Sequence, residues 1–114
     1  MARPSLLGLA AVLLLGAAGC PGAKPYTGFN PIGPMPAGQK QRDPASVQFF
    51  EARPERPFRE LGELSSHPNG SDATRDALLA DMQRTAGRAG CDAIILQPST
   101  YGESIDGVCI IWTQ

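Results

Sequence analysis

Residues 73–90 read ATRDALLADMQRTAGRAG, and the reading of this stretch decides what its neighbours must build. Leu78, Leu79, Met82, Ala86 and Ala89 recur at helical spacing, while Arg75, Asp76, Arg84 and Arg88 fall largely elsewhere. The pattern predicts one amphipathic helix from Ala73 to Ala89. Asp72 and Asp76 at its start and Arg88 at its end complement the helix dipole. Ser71 or Asp72 can serve as the N-cap, and Gly90 supplies the stop. Ahead of it, His67-Pro68-Asn69-Gly70 is turn chemistry.

A single helix with an apolar stripe needs a sheet to lie on, and the flanking segments offer one. Residues 47–52 (VQFFEA) alternate well enough for a strand, and two prolines in 53–57 (RPERP) end it. Residues 58–65 (FRELGELS) alternate again, with Gly62 marking a bulge or a close backbone approach. Beyond the helix, 93–96 (AIIL) and 108–112 (VCIIW) are apolar on both faces, as central strands are. Residues 98–107 between them read as a loop. The order strand, strand, helix, strand, strand predicts a small α+β domain over 47–114, with its sheet packed on one helix. That size lies near the lower limit for a self-sufficient core.

The N-terminal part is of a different kind. One positive charge, Arg3, precedes an uninterrupted small and apolar run from Leu6 to Ala18, which is the pattern of a secretory signal. The run is shorter than the about 20 apolar residues a membrane span requires. Ala17-Ala18-Gly19 before Cys20 resembles the lipobox of bacterial lipoproteins, in which the cysteine is lipidated and becomes the mature N-terminus. Residues 1–19 then form the signal peptide, and Cys20 is a membrane anchor carrying palmitate or similar acyl chains. The alternative is ordinary cleavage near Cys20, leaving an exposed thiol in an oxidising compartment.

From Pro21 to Ser46 stand six prolines and four glycines, with Tyr26, Phe29, Ile32 and Met35 as the only bulky apolar residues. Such composition predicts that 20–46 is a disordered tether. Charge divides at the same point: 47–114 carries a net −4, and 21–46 carries +2. An acidic domain with few aromatics argues against nucleic acid as a partner.

Arg53 to Ser65, the helix, Cys91 to Leu96 (CDAIIL) and Gly107 to Ile111 (GVCII) together resemble the Rcs-type outer-membrane stress-sensor lipoproteins and the related YbjQ-like domains. The shared pattern is an aromatic-x-x-Leu-Gly-x-hydrophobic strand, here Phe58 to Leu64, and an Ala-hydrophobic strand after the helix. The resemblance implies a sensor domain that contacts other envelope proteins from the outer membrane. It also implies that Cys109 falls where the stress sensors have a disulfide cysteine. The matching partner position here is Ser99, and a second family bridge would need a cysteine near Ser65, Ser66 or His67, so the family's framework is absent. Pro21 after Cys20, where Asp commonly retains a lipoprotein in the inner membrane, points the same way, to the outer membrane facing the periplasm.

Cys91 and Cys109 can pair only if the fold brings them close. A hairpin centred near Gly102 sets Cys109 opposite residue 95, which leaves about 13 Å along a strand to Cys91. A disulfide tolerates about 7 Å between Cα atoms. The expectation is two buried thiols packing as small hydrophobes, with a disulfide as the alternative that the oxidising compartment favours. The possible soft metal ligands, Cys91, Cys109 and His67, lack the tight local pair a zinc site uses, so no metal or other cofactor is expected. Nor does the chain carry a Gly-rich phosphate loop or a Ser-centred elbow. His67 before Pro68 reads as a solvated turn residue, and Cys109 lies in an apolar run that would raise its thiol pKa.

These readings predict a protein that is not an enzyme: a lipid-anchored envelope lipoprotein acting as a protein-contacting sensor or interaction module, with no small-molecule substrate evident. The alternative is a structural lipoprotein or a weak metal binder. Tyr101, an aromatic in the long loop, is the candidate contact residue.

Overall fold

The computed structural model describes residues 24–98 and 102–114. The helix forms where its pattern predicts, as α1, Arg75–Ala89, with Leu78, Met82, Ala86 and Gly87 buried. Its N-cap is Thr74, not Ser71 or Asp72: the Thr74 side chain accepts from the Ala77 N–H at 3.2 Å. Ser71 closes the preceding turn instead, donating to the Pro68 carbonyl at 2.6 Å and accepting from the Ala73 N–H at 3.2 Å. Asn69 and Gly70 both take positive φ, so the chain is still turning at 70 and the helix starts later. Gly90, with φ 89°, ends the helix in the left-handed conformation.

Five strands make one mixed sheet: β1 (Tyr26–Pro31), β2 (Gln48–Phe50), β3 (Phe58–His67), β4 (Ala93–Gln97) and β5 (Ile105–Trp112). Their spatial order is β1-β3-β5-β4-β2. All pairs are antiparallel except β2 with β4. The chain is therefore α+β, a sheet on one helix, with β4 and β5 in the interior as their two-sided apolar runs require. The register of β3 against β5 shifts between Glu60 and Gly62, the position where the glycine of this strand predicts a bulge.

The segment expected to be a disordered tether, 20–46, is folded from Tyr26 onward. Thr27 and Phe29 turn toward α1, and their alternation with Gly28 and Asn30 was the strand signal hidden by the flanking prolines. Pro25 precedes β1 and Pro31 is its final residue, both tolerated because β1 is an edge strand. Thr27 Oγ1 donates to Asp81 Oδ2 at 2.6 Å and stands 3.0 Å from Ser66 Oγ, which donates to the Leu78 carbonyl. Residues 39–46 then strap the far end of the helix. Gln39 Nε2 donates to the Gly90 carbonyl at 2.6 Å, and the Arg42 N–H to the Gly87 carbonyl at 2.7 Å. Those carbonyls belong to the helix C-terminus, where intrahelical donors run out; the Gly87 carbonyl accepts the N–H of the cap residue Gly90, at 3.1 Å, as well as that of Arg42. Arg42 also pairs with Asp92 at 3.0 Å, and Asp92 accepts the Trp112 N–H with its other oxygen.

The core has two layers. On the helix side, Leu61, Leu64, Leu78, Met82, Ala86, Ile94 and Ile105 pack with Val47 and the two cysteines. On the opposite face, Ala93, Ile95, Val108 and Ile110 are buried under Phe50, Phe58 and Trp112, with no helix above them among the described residues. These aromatics roof that face: Phe50 meets Trp112 edge-on at 5.8 Å.

Candidate functional site

Cys91 and Cys109 form a disulfide across the helix–sheet interface, with Cα atoms 5.5 Å apart and both residues fully buried. The expected pair of free thiols is thereby corrected. A separation of about 13 Å holds only for a Cys91 in line with the strand. In the fold, the chain turns at Gly90 and Cys91 N–H still bonds back to the Ala86 carbonyl of the helix, so Cys91 sits over the sheet and not in line with it. The register was one residue off as well, Cys109 facing Ile94 in place of residue 95. With both sulfurs bonded to each other, neither offers a thiolate to a metal. His67 lies five residues along β3 from Gly62, the partner of Cys109, about 16 Å away. Among the described residues, no group of three or more His, Cys, Asp and Glu could hold a metal ion.

His67 is not a solvated turn residue. It is the last residue of β3, half-buried, and both ring nitrogens have partners. Nδ1 lies 2.7 Å from Ser104 Oγ, and Nε2 lies 3.1 Å from Ser65 Oγ. Ser65 Oγ in turn donates to Asp106 Oδ1 at 2.7 Å. Directions follow from what each group can do. A carboxylate only accepts, so the Ser65 proton points to Asp106, and Ser65 must accept from His67. The neutral ring then carries its proton on Nε2, which leaves Nδ1 as an acceptor for the Ser104 hydroxyl. The chain is thus polarised from Ser104 through His67 and Ser65 to Asp106.

Sheet geometry brings the four together. Ser65 and His67 share one face of β3 by the period of two, Ser65 pairs with Asp106 across β5, and Ser104 lies just before β5. Sequence reasoning could have found Ser65 and His67 as an i, i+2 pair. It could not place Ser104 or Asp106 without the register.

Ser104 is buried, 8% exposed, and lines an open cleft of about 580 Å³ between the start of α1 and the residues that lead into β5. Leu78 and Ile105 form the apolar part of the wall, and Ser71, Asp72, Arg75 and Glu103 supply polar groups. A smaller cavity of about 200 Å³ lies against Asn30, Glu63, Ser65, Gln97 and Asp106. At the other end of the helix-free face, Arg53 stacks 4.9 Å over Phe58 and Arg56 stacks 4.5 Å over Trp112. Cys20 and Tyr101, the expected anchor and contact residues, lie outside the described residues.

The fold and site define a small disulfide-bonded α+β domain with a polar relay at one end and an arginine-aromatic platform at the other. No protein-family model matches the chain, and no curated protein or solved structure matches it.

Proposed function

We propose that the protein is an envelope lipoprotein, anchored through a lipid on Cys20, whose domain acts as a protein-contacting sensor or interaction module. The observation that carries this reading is the buried Cys91–Cys109 bond. Structural disulfides form and persist in oxidising compartments, which are reached by export. The apolar run Leu6 to Ala18 before Gly19-Cys20 independently reads as an export signal, so two unrelated features ask for the same location. The resemblance to outer-membrane stress sensors and Pro21 beside the lipidation site favour the outer membrane, facing the periplasm.

Reach restricts the partners. β1 begins at Tyr26, so five residues, Pro21 to Pro25, separate the anchor from the sheet. In any conformation they span no more than about 20 Å. Such a link holds the domain beside its own membrane, and the partners that fit are proteins in or on that same membrane. The platform of Trp112, Phe58, Arg53 and Arg56 has the residue types that dominate interface energies.

The test is Cys20→Ser in cells, read by membrane fractionation and by crosslinking from the platform. The variant is expected in the soluble fraction or as uncleaved precursor, and Trp112→Ala on the lipidated protein is expected to lose crosslinks while staying at the membrane. A cleaved Cys20→Ser protein that still sediments with membranes would remove the anchor from the proposal.

A further inference from the structure

We propose that Ser104 is an acyl-accepting nucleophile, with His67 as its general base, and that the cleft beside it takes small uncharged carboxylic esters. Three observations converge on Ser104. Its hydroxyl lies 2.7 Å from an imidazole nitrogen. That nitrogen is the unprotonated one, because Ser65 and Asp106 hold the ring proton on the other side. Nucleophile, base and orienting group are the three parts that covalent catalysis by serine requires. Finally, Ser104 lines a cleft of about 580 Å³, within the range of small-molecule sites. Ser65 cannot take this role: its own proton is directed to Asp106, and the ring nitrogen facing it is a donor.

The same cleft is lined by Arg75, the first residue of the 15-residue helix α1. The first-turn N–H groups of a helix lack intrahelical acceptors and carry partial positive charge, and the guanidinium adds a full one. Arg75 and this helix end thus put positive charge on the cleft wall, of the sign that a developing oxyanion needs. Asp72 and Glu103 on the rim repel anions, which makes a neutral ester a better substrate than a phosphate. Leu78 and Ile105 give the acyl group an apolar wall.

The step balances without any other reactant than water. Ser104 Oγ attacks the ester carbonyl carbon as its proton passes to His67 Nδ1, and the carbonyl π electrons move onto oxygen. Collapse of the tetrahedral intermediate breaks the bond to the alcohol, which leaves with the proton from Nδ1. Water, deprotonated by the same nitrogen, then attacks the acyl-serine and releases the acid, restoring the Ser104 hydroxyl. Ser65 and Asp106 are positioning residues that keep the ring in the required tautomer. This chemistry does not rest on the lipid anchor.

The test uses the full-length protein in detergent, treated with a fluorophosphonate probe and mapped by peptide mass spectrometry. An adduct on Ser104 is expected in the native protein and is lost after unfolding. His67→Gln is expected to slow labelling at least about 100-fold, and Ser104→Ala to abolish it. Ser104→Cys is expected to move reactivity to iodoacetamide, which separates a lost nucleophile from a lost fold. Ser65→Ala should keep the adduct on Ser104 and slow its formation about tenfold or more, and Ser65→Thr, which keeps a hydroxyl at that place, should restore the rate. With p-nitrophenyl acetate hydrolysis is expected, and with p-nitrophenyl phosphate none. No adduct on Ser104 in the folded protein, or equal labelling of the unfolded or His67→Gln protein, overturns the proposal.

Discussion

Gly62 sits where the bulge, the edge strand and an aromatic ring meet. A Cβ there would stand 2.6 Å from the Asn30 carbonyl oxygen and 2.6 Å from Phe29 Cε1. The Phe29 ring lies on bare backbone, and that contact seats β1. Gly62→Ala is expected to destabilise the domain by about 1–3 kcal/mol, read as a lower urea midpoint, with the amide protection of 26–31 lost first by hydrogen exchange. The position was legible beforehand as a bulge or close approach; the identity of the approaching group was not, because Phe29 lies in a segment whose composition hides a strand. The cysteines were legible in the same partial way. Their burial follows from apolar surroundings, while their pairing depends on a turn at Gly90 that no strand pattern encodes. Replacing both Cys91 and Cys109 with Ala is expected to cost about 3 kcal/mol by the chain-entropy estimate for a loop of this size, seen as a matching drop in urea stability that reductant does not deepen.

At the scale of elements, the helix was readable because its periodicity is undisturbed, β4 and β5 because they are apolar on both faces, and β3 because its glycine falls where the register shifts. The relay around His67 was not, since Ser104 and Asp106 reach it only through the β3–β5 pairing. The strap was missed for another reason: its contacts are made by backbone and side-chain amides to helix carbonyls, which leave no hydrophobic signature. Two glycines nonetheless record it. A Cβ at Gly87 would meet the Arg42 carbonyl oxygen at 2.7 Å, and one at Gly90 would meet the Lys40 carbonyl oxygen at 2.8 Å. Gly87→Val is therefore expected to lift the strap, exposing 39–46 to limited proteolysis while circular dichroism keeps the helix signal. Deleting 24–46 removes β1 and the strap together, uncovering Thr27's partners Asp81 and Ser66 and the end of α1. The melting temperature is expected to fall by well over 5 °C, since a single kcal/mol moves a domain of this size by about 4–8 °C. Unchanged melting would mean that these residues contribute no stability.

For the whole molecule, the order β1-β3-β5-β4-β2 has an outcome in time as well as in space. The strand that comes fifth along the chain is third across the sheet, bonded to both β3 and β4. β2 has only β4 beside it, in parallel, and must wait some 45 residues of sequence for that neighbour. As a ribosome releases this chain, β1 can pair with β3 and α1 can lie on them, but β2 and the inner edge of β3 stay unpaired until β4 and β5 arrive. Non-local pairing of this kind delays folding until the central strand arrives. On the export route proposed above, a chain whose sheet is incomplete until synthesis reaches Trp112 can still be threaded through a channel, and its sulfur bond, which needs Cys109, would close only after passage.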